Sequence, residues 1–152
     1  MELHPIGIIH SPHATKDACP IQPVYSSEAE GRVEVFEEYA AGLKDVETFS
    51  HLYLLYLFDR AGESKLVRRT FLDDVPHGIF ASRHLCRPNG IGVSIVRLER
   101  REANILIVAG ADILDGTPLI DIKPYIPYSD AFPDAKAGWL EGLDPGAPDR
   151  WK

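Results

Sequence analysis

Arg83 and Arg87 stand in the stretch "ASRHLCRPNGIG", directly before Pro88 and the glycines Gly90 and Gly92. A guanidinium presents a fork of donors that matches a carboxylate or a phosphate. Glycine lets bare backbone approach a ligand closely. This order of residues suits an anionic ligand; the competing reading is a structural loop held by Arg–carboxylate pairs. A second stretch, "DGTPLIDIKPYIPYSD", sets Asp115, Asp121 and Asp130 among Pro118, Pro124 and Pro127, with Lys123, Tyr125 and Tyr128 between them. Proline lacks a donor and clashes with the preceding turn, so this spacing argues against a helix. It also argues against the middle of a sheet, where each proline deletes a ladder hydrogen bond. The expectation is a rigid, extended, acidic and aromatic wall, or else an edge strand with a Pro-rich turn.

Other chemistries are not signalled. Gly90-Ile91-Gly92 lacks the third glycine of a dinucleotide fingerprint and enters a strand-like run rather than a helix. Of six histidines only His10 and His13, in "HSPH", make a spaced pair, and Pro12 breaks the helical geometry of a metalloprotease site. No metal is therefore expected. Cys19 and Cys86 form no CxxC pair, the pattern of two reduced thiols in a cytosolic chain. No GxSxG elbow is present, and Cys86 has only His84 near it, so a nucleophilic triad is not indicated. The N-terminal "MELHPIGIIHSPH" is too interrupted for a secretory segment, and no apolar run approaches the ~18 residues of a membrane span. A cytoplasmic protein with no membrane association is the expectation.

The 152 residues carry a formal net charge of -7, which argues against indiscriminate coating of nucleic acid. The charge is uneven, because between Arg60 and Arg101 nine basic residues face four acidic ones. A locally basic face on an acidic chain suits a specific anionic ligand. A solvated surface of paired charges has the same composition.

These residues need a scaffold, and the pattern of short apolar runs between twelve Pro and twelve Gly is that of a β-rich fold. Ile6–His10 and Arg32–Phe36 read as short strands, the latter alternating with period two. The run Phe49–Phe58 reads as a strand buried on both faces, and Gly78–Ser82 as another short strand. "GVSIVRLERR" and "NILIVAGADIL" predict an antiparallel hairpin turning near Glu102–Ala103. "LIDIKPY" adds a last strand, which Pro124 must place on an edge or at its end. Glu37–Leu43 is the main helical segment expected. The fold class is mainly β: a single antiparallel β-barrel-like domain over residues 1–135, with a few short helices. Residues 136–152 form an extended C-terminal tail anchored by Trp139 and Leu140.

Taken together, "IGIIHSP", "CPIQP", "GLKDVETFSHLYLLYLFD", "GIFASRHLCRPNGIGVSIVRL" and "DGTPLIDIKPYIPYSDAFPDA" occur in an order that resembles the TrmO (TsaA-like) family of S-adenosylmethionine-dependent methyltransferases. The likeness covers most of Ile6–Ala135. Departures are His10 for the family's arginine in "IRSP", His84, Cys86 and Gly90 in the "RPN" block, and Asp59 for the histidine that commonly ends the central strand. The extra C-terminal domain of many bacterial members has no counterpart in these residues. The resemblance implies a β-barrel-like core, a homodimer, S-adenosyl-L-methionine as cofactor, and N6-methylation of the threonylcarbamoyl-adenosine at tRNA position 37.

It also implies a division of the site. Cofactor contacts fall on Pro20, Ile21, Gln22, Asp59, Arg60, Arg83, Val93 and the turn Asp112, Ile113, Leu114, Asp115, Gly116. A donor with a sulfonium, a ribose and an adenine needs carboxylates for cation and diol and an apolar slot for the base. The acceptor side falls on Arg87, Asn89, Lys123 and Tyr125, with Tyr125 able to stack on a base. Asp121 is the candidate catalytic carboxylate for taking the amine proton. Two further readings stay open: the same cofactor with a small-molecule or protein acceptor, and a non-catalytic S-adenosylmethionine-binding module.

Overall fold

The computed structural model describes residues 1–14, 29–70 and 72–143. Six strands, β1 (Gly7–His10), β2 (Glu30–Val35), β3 (His51–Leu57), β6 (Ile91–Glu102), β7 (Ile105–Ala109) and β8 (Thr117–Pro124), close into a barrel. Its order is β1-β2-β7-β6-β3-β8, returning to β1, and every pairing is antiparallel. A separate two-stranded arm, β4 (Val67–Arg69) with β5 (Pro76–Gly78), is inserted between β3 and β6. No helix among the described residues is long and apolar enough to cross a membrane.

Period-two alternation builds the core. Val33 and Val35 of β2, Leu52, Leu54 and Tyr56 of β3, Val96 of β6, Leu106 and Val108 of β7, and Leu119 of β8 point inward and are buried. Closing a barrel with so few strands demands strong coiling, and two bulges supply it. Pairing shifts between Leu98 and Arg100 on β6 against β7, and between Leu55 and Tyr56 of β3 against β8, where Ile120 is the extra residue. One end is plugged by Leu43 of the 3-10 segment Glu37–Leu43, with Arg101 Nη1 donating to the Leu43 carbonyl at 2.9 Å. The other end is filled by buried Ala111 and Ile113 of the turn that follows β7.

Several sequence expectations require correction. Strand β3 is buried on its inner face only; His51, Tyr53, Leu55 and Leu57 face outward and are half-buried. Continuous apolarity therefore does not mark two covered faces within one chain. The run expected as a strand over Gly78–Ser82 is a 3-10 turn, Ile79–Ala81, following β5. Proline does not exclude all helix near Tyr125, because Pro127–Asp130 forms one short turn, α1, with proline at its first position, where no donor is needed. Pro124 does end its strand, as a residue without a donor must.

Of the tail, Gly138–Leu140 forms a 3-10 turn on the arm. The Trp139 ring stacks on His77 with centroids 3.8 Å apart, and its indole N–H donates to the Ala81 carbonyl at 2.8 Å. Leu140 remains 37% exposed, so Trp139 is the anchor.

Candidate functional site

The end opposite Leu43, the mouth of the barrel, gathers the C-terminal ends of β1, β3 and β7 with the starts of β6 and β8. The turn from Gly110 to Gly116 rims this mouth and is stitched to the chain leaving β1. Ser11 N–H donates to Asp115 Oδ1 at 3.0 Å, Asp115 N–H to the His13 carbonyl at 2.9 Å, and Gly116 N–H to the Ile9 carbonyl at 2.8 Å. Gly116 sits at φ 81, in the left-handed region that favours glycine, so the turn can reverse there without a side-chain clash. Its two aspartates are thereby separated. Asp115 is exposed beside His10, whereas Asp112 points into the mouth and is largely buried.

Asp112 ends a directed hydrogen-bond chain. Ser94 Oγ donates to Asp112 Oδ1 at 2.6 Å, and the Tyr56 and Ser94 hydroxyls lie 2.8 Å apart. Because the serine proton is committed to the carboxylate, the Tyr56 hydroxyl must donate to Ser94. Burial pushes the Asp112 carboxyl up to about 6. The Ser94 hydroxyl, its own backbone amide, His13 and Arg83 pull it the other way. This is a carboxylate that water solvates poorly and a cation would hold ionised. His13 is buried next to it, its Nε2 3.0 Å from the Ala111 carbonyl.

The rest of the rim carries both signs of charge. Arg60 Nη2 donates to Thr117 Oγ1 at 3.1 Å, and its Nε to Asp59 Oδ1 at 3.3 Å. Arg83 is exposed yet near enough to Asp112 to act on its ionisation. Arg87 Nη1 donates to the carbonyls of Ser82 and His84, and Gly90, at φ 60, completes the turn by donating its N–H to the Arg87 carbonyl. The Arg87 fork thus holds the Arg-Pro-Asn loop in shape, with Asn89 exposed at its tip.

The structure brings together Asp59, Arg60, Arg83, Asp112, Ile113, Leu114, Asp115 and Gly116 at the mouth, with Arg87 and Asn89 on the loop beside it. It sets four other residues apart. Val93 and Asp121 both pair with Leu55 on the outer wall of the barrel, and Asp121 Oδ2 lies 2.9 Å from Lys123 Nζ. Lys123 pairs with Tyr53, and Tyr125 continues past the end of β8 against His51 and Tyr53, at the end remote from Asp112. Alternation is the reason: residues next to each other on a strand face opposite ways, so Val93 faces out because Ser94 faces in. Pro20, Ile21 and Gln22 lie outside the described residues. Among the described residues no group of three or more His, Cys, Asp or Glu is placed to hold a metal ion.

Sequence reasoning overlooked Tyr56 and Ser94, and weighed His13 only as half of a metal-ligand pair. A signal existed for Ser94, which shares the inward phase of Gly92 and Val96. A hydroxyl buried at such a position must find a partner. Gly92 is inward too, and a β-carbon there would overlap the Tyr56 ring and come 2.8 Å from Phe58 Cζ. Gly92→Ala should therefore destabilise the fold by about 1–3 kcal/mol and shift Tyr56 off Ser94. Urea unfolding checks this, and an unchanged midpoint would mean that the ring swings aside freely.

The model of the tRNA-methyltransferase O N-terminal domain matches residues 8–131. A Pyrococcus abyssi protein named "Probable S-adenosyl-L-methionine-binding protein" is 50% identical over 90% of this chain and 74% of its own length. The Escherichia coli "tRNA (adenine(37)-N6)-methyltransferase" is 37% identical over 90% of this chain, which spans 62% of that enzyme. Among solved structures, TrmO from Pseudomonas aeruginosa superposes with a TM-score of 0.77 at 42% identity, over 91% of this chain and 62% of that one.

Proposed function

The chain belongs to the family of the tRNA-methyltransferase O N-terminal domain, and from that membership we propose that it methylates N6 of the threonylcarbamoyl-adenosine at tRNA position 37. S-Adenosyl-L-methionine is the donor and, when bound, supplies a methyl group on a positively charged sulfonium. The observation that carries this reading is Asp112, a largely buried carboxylate at the barrel rim next to Arg83, held by Ser94 and raised by burial to about 6. A ligand with a cation, a carboxylate and a diol matches that donor set. Asp112 holds the positive charge, Arg83 and Arg60 the carboxylate, and Asp59 or Asp115 the ribose hydroxyls. Leu114 supplies apolar contact, buried Ile113 supports the turn from beneath, Gly116 allows close backbone approach, and Pro20, Ile21 and Gln22 form a further wall. Arg87 and Asn89 border the acceptor. No metal enters this scheme. The setting proposed is the cytoplasm, where tRNA is found.

As the N–C bond forms and the methyl–sulfonium bond breaks, N6 is left with a proton that a carboxylate can take. Asp121 is suited to this only across a subunit boundary, because in its own chain it sits on the outer wall. We therefore propose a homodimer joined through the outer face of β6, β3 and β8. Ile91, Val93 and Ile95 are 39%, 48% and 40% exposed there, beside half-buried Tyr53, Leu55 and Leu57. Contiguous apolar surface of this kind marks an interface. In such a dimer Val93, Asp121, Lys123 and Tyr125 serve the site of the neighbouring subunit.

Two measurements test the proposal. Mass spectrometry of tRNA nucleosides from cells with and without the gene should show the methylated threonylcarbamoyl-adenosine only when the gene is present. Calorimetry in metal-free buffer should show S-adenosyl-L-methionine binding to the purified chain. Binding without the tRNA product would shift the reading to a small-molecule or protein acceptor, or to a non-catalytic module. Binding that requires an added divalent ion would overturn the metal-free site.

A further inference from the structure

The cations of this chain fall into two groups that composition alone does not separate. At the plugged end of the barrel each arginine of β6 is answered locally: Arg97 by Glu99 at 2.6 Å, Arg100 by Glu102 at 2.8 Å, and Arg101 by Glu47 at 3.5 Å. On the β4–β5 arm the situation is reversed. Among the described residues no carboxylate lies within ion-pair distance of Lys65, Arg68 or Arg69. Arg68 Nε is buried with no hydrogen-bond partner. The arm's acidic residues are Glu63, Asp73 and Asp74, and Asp73 is engaged by His77 at 2.9 Å.

The same arm exposes large apolar side chains. Phe80 is 78% exposed, Leu66 65%, Val67 61% and Val75 57%. This is not a loosely held loop. Strands β4 and β5 pair from Val67–Gly78 to Arg69–Pro76, Ile79 N–H donates to the Leu66 carbonyl at 2.8 Å, and Ile79 itself is buried. Trp139 packs over His77 and bonds to Ala81. A stiff element showing unneutralised cations and an aromatic ring to water is costly for an isolated domain and suits a ligand with phosphates and flat bases. The chain that follows the arm runs directly through Arg83 to the mouth.

We propose that the β4–β5 arm is the surface that grips the nucleic-acid acceptor, with Lys65, Arg68 and Arg69 on backbone phosphates and Phe80 stacked on an unpaired base. The inference rests on the tRNA reading above and assigns its recognition surface. On an acidic chain, cations segregated on one arm localise a polyanion beside the mouth and leave the rest of the surface repulsive.

The test uses the full chain, with Lys65→Gln/Arg69→Gln and Phe80→Ala as variants, since all three residues are exposed. Fluorescence anisotropy with labelled tRNA at two salt concentrations is read beside S-adenosyl-L-methionine calorimetry and light scattering. The charge variant should bind tRNA at least tenfold more weakly, with a salt slope lowered by about one for each phosphate that is no longer neutralised. Phe80→Ala should reduce affinity about fivefold or more with an unchanged slope. Both should keep wild-type cofactor affinity and oligomeric state. Wild-type tRNA affinity in both variants, with the parent enzyme active on tRNA, overturns the arm and leaves the proposed activity standing. A parent chain that neither binds nor methylates tRNA overturns both. Dissociation of either variant into monomers would identify the arm as a subunit contact and overturn the assignment.

Discussion

Asp112→Asn should make the protein more stable at neutral pH and nearly unable to bind S-adenosyl-L-methionine. The folded-state pKa is about 6 against an ordinary 3.8, so the folded chain holds the Asp112 proton more tightly than the unfolded chain does. The contribution of Asp112 to stability is then fully present below pH 3.8 and is lost as the pH rises through the interval from 3.8 to about 6. Above that interval the ionised carboxylate costs about 3 kcal/mol, because one pKa unit corresponds to about 1.4 kcal/mol. Asparagine keeps an oxygen to accept from Ser94 and carries no charge to desolvate. The variant should therefore melt several degrees higher than wild type at pH 8, with the difference vanishing near pH 4.

Binding should move the opposite way. Replacing a charge-assisted contact by a neutral one costs about 3 kcal/mol, or roughly a hundredfold in affinity. Wild-type affinity should also weaken as the pH falls below about 6, since a proton must leave Asp112 before a cation can take its place. Calorimetric titrations and thermal melts of both proteins between pH 4 and 8 check the two halves together. A variant that loses stability and affinity alike would reduce Asp112 to a packing residue.

The second large effect is expected from Ile95→Glu. Ile95 pairs with Tyr53 on the outer face and is 40% exposed in the single chain, so the barrel tolerates a charge there. In the proposed dimer that charge would be buried unpaired, at about 3 kcal/mol or more, which is roughly a hundredfold in the dimer Kd. Light scattering at micromolar concentration should report a dimer for wild type and a monomer for the variant, with unchanged far-ultraviolet dichroism. Methyl transfer should fall with dissociation if Asp121 and Val93 serve a neighbouring subunit. A monomeric wild type, or a fully active monomeric variant, would restrict the site to the mouth of one chain.

Much of this architecture is written in local pattern. Alternation in Arg32–Phe36 and Gly92–Leu98 specifies strands, the turn read near Glu102–Ala103 and found at Ala103–Asn104 specifies the β6–β7 hairpin, and Pro124 ends β8. The order of the "RPN" and "DGTP" blocks resembles one family, and its model matches. These features are legible because they depend on neighbours a few residues apart.

What the residues do was decided by closure of the barrel. In "DILD" the two aspartates are equivalent as letters. Only the fold buries Asp112 beneath Ser94, with Tyr56 behind it, and leaves Asp115 in water, giving one of them a raised pKa. Likewise "DIKPY" reads as a wall of the site, but the extra residue Ile120 sets the phase of β8 so that Asp121 pairs with Leu55 on the outside. Desolvation and strand phase are properties of the surroundings a residue receives from distant segments. The sequence by itself therefore determined that this chain forms strands and carries the blocks of a methyl-transfer family. Which carboxylate is poised, and which side chains line the outer wall, was settled only when β8 closed on β1.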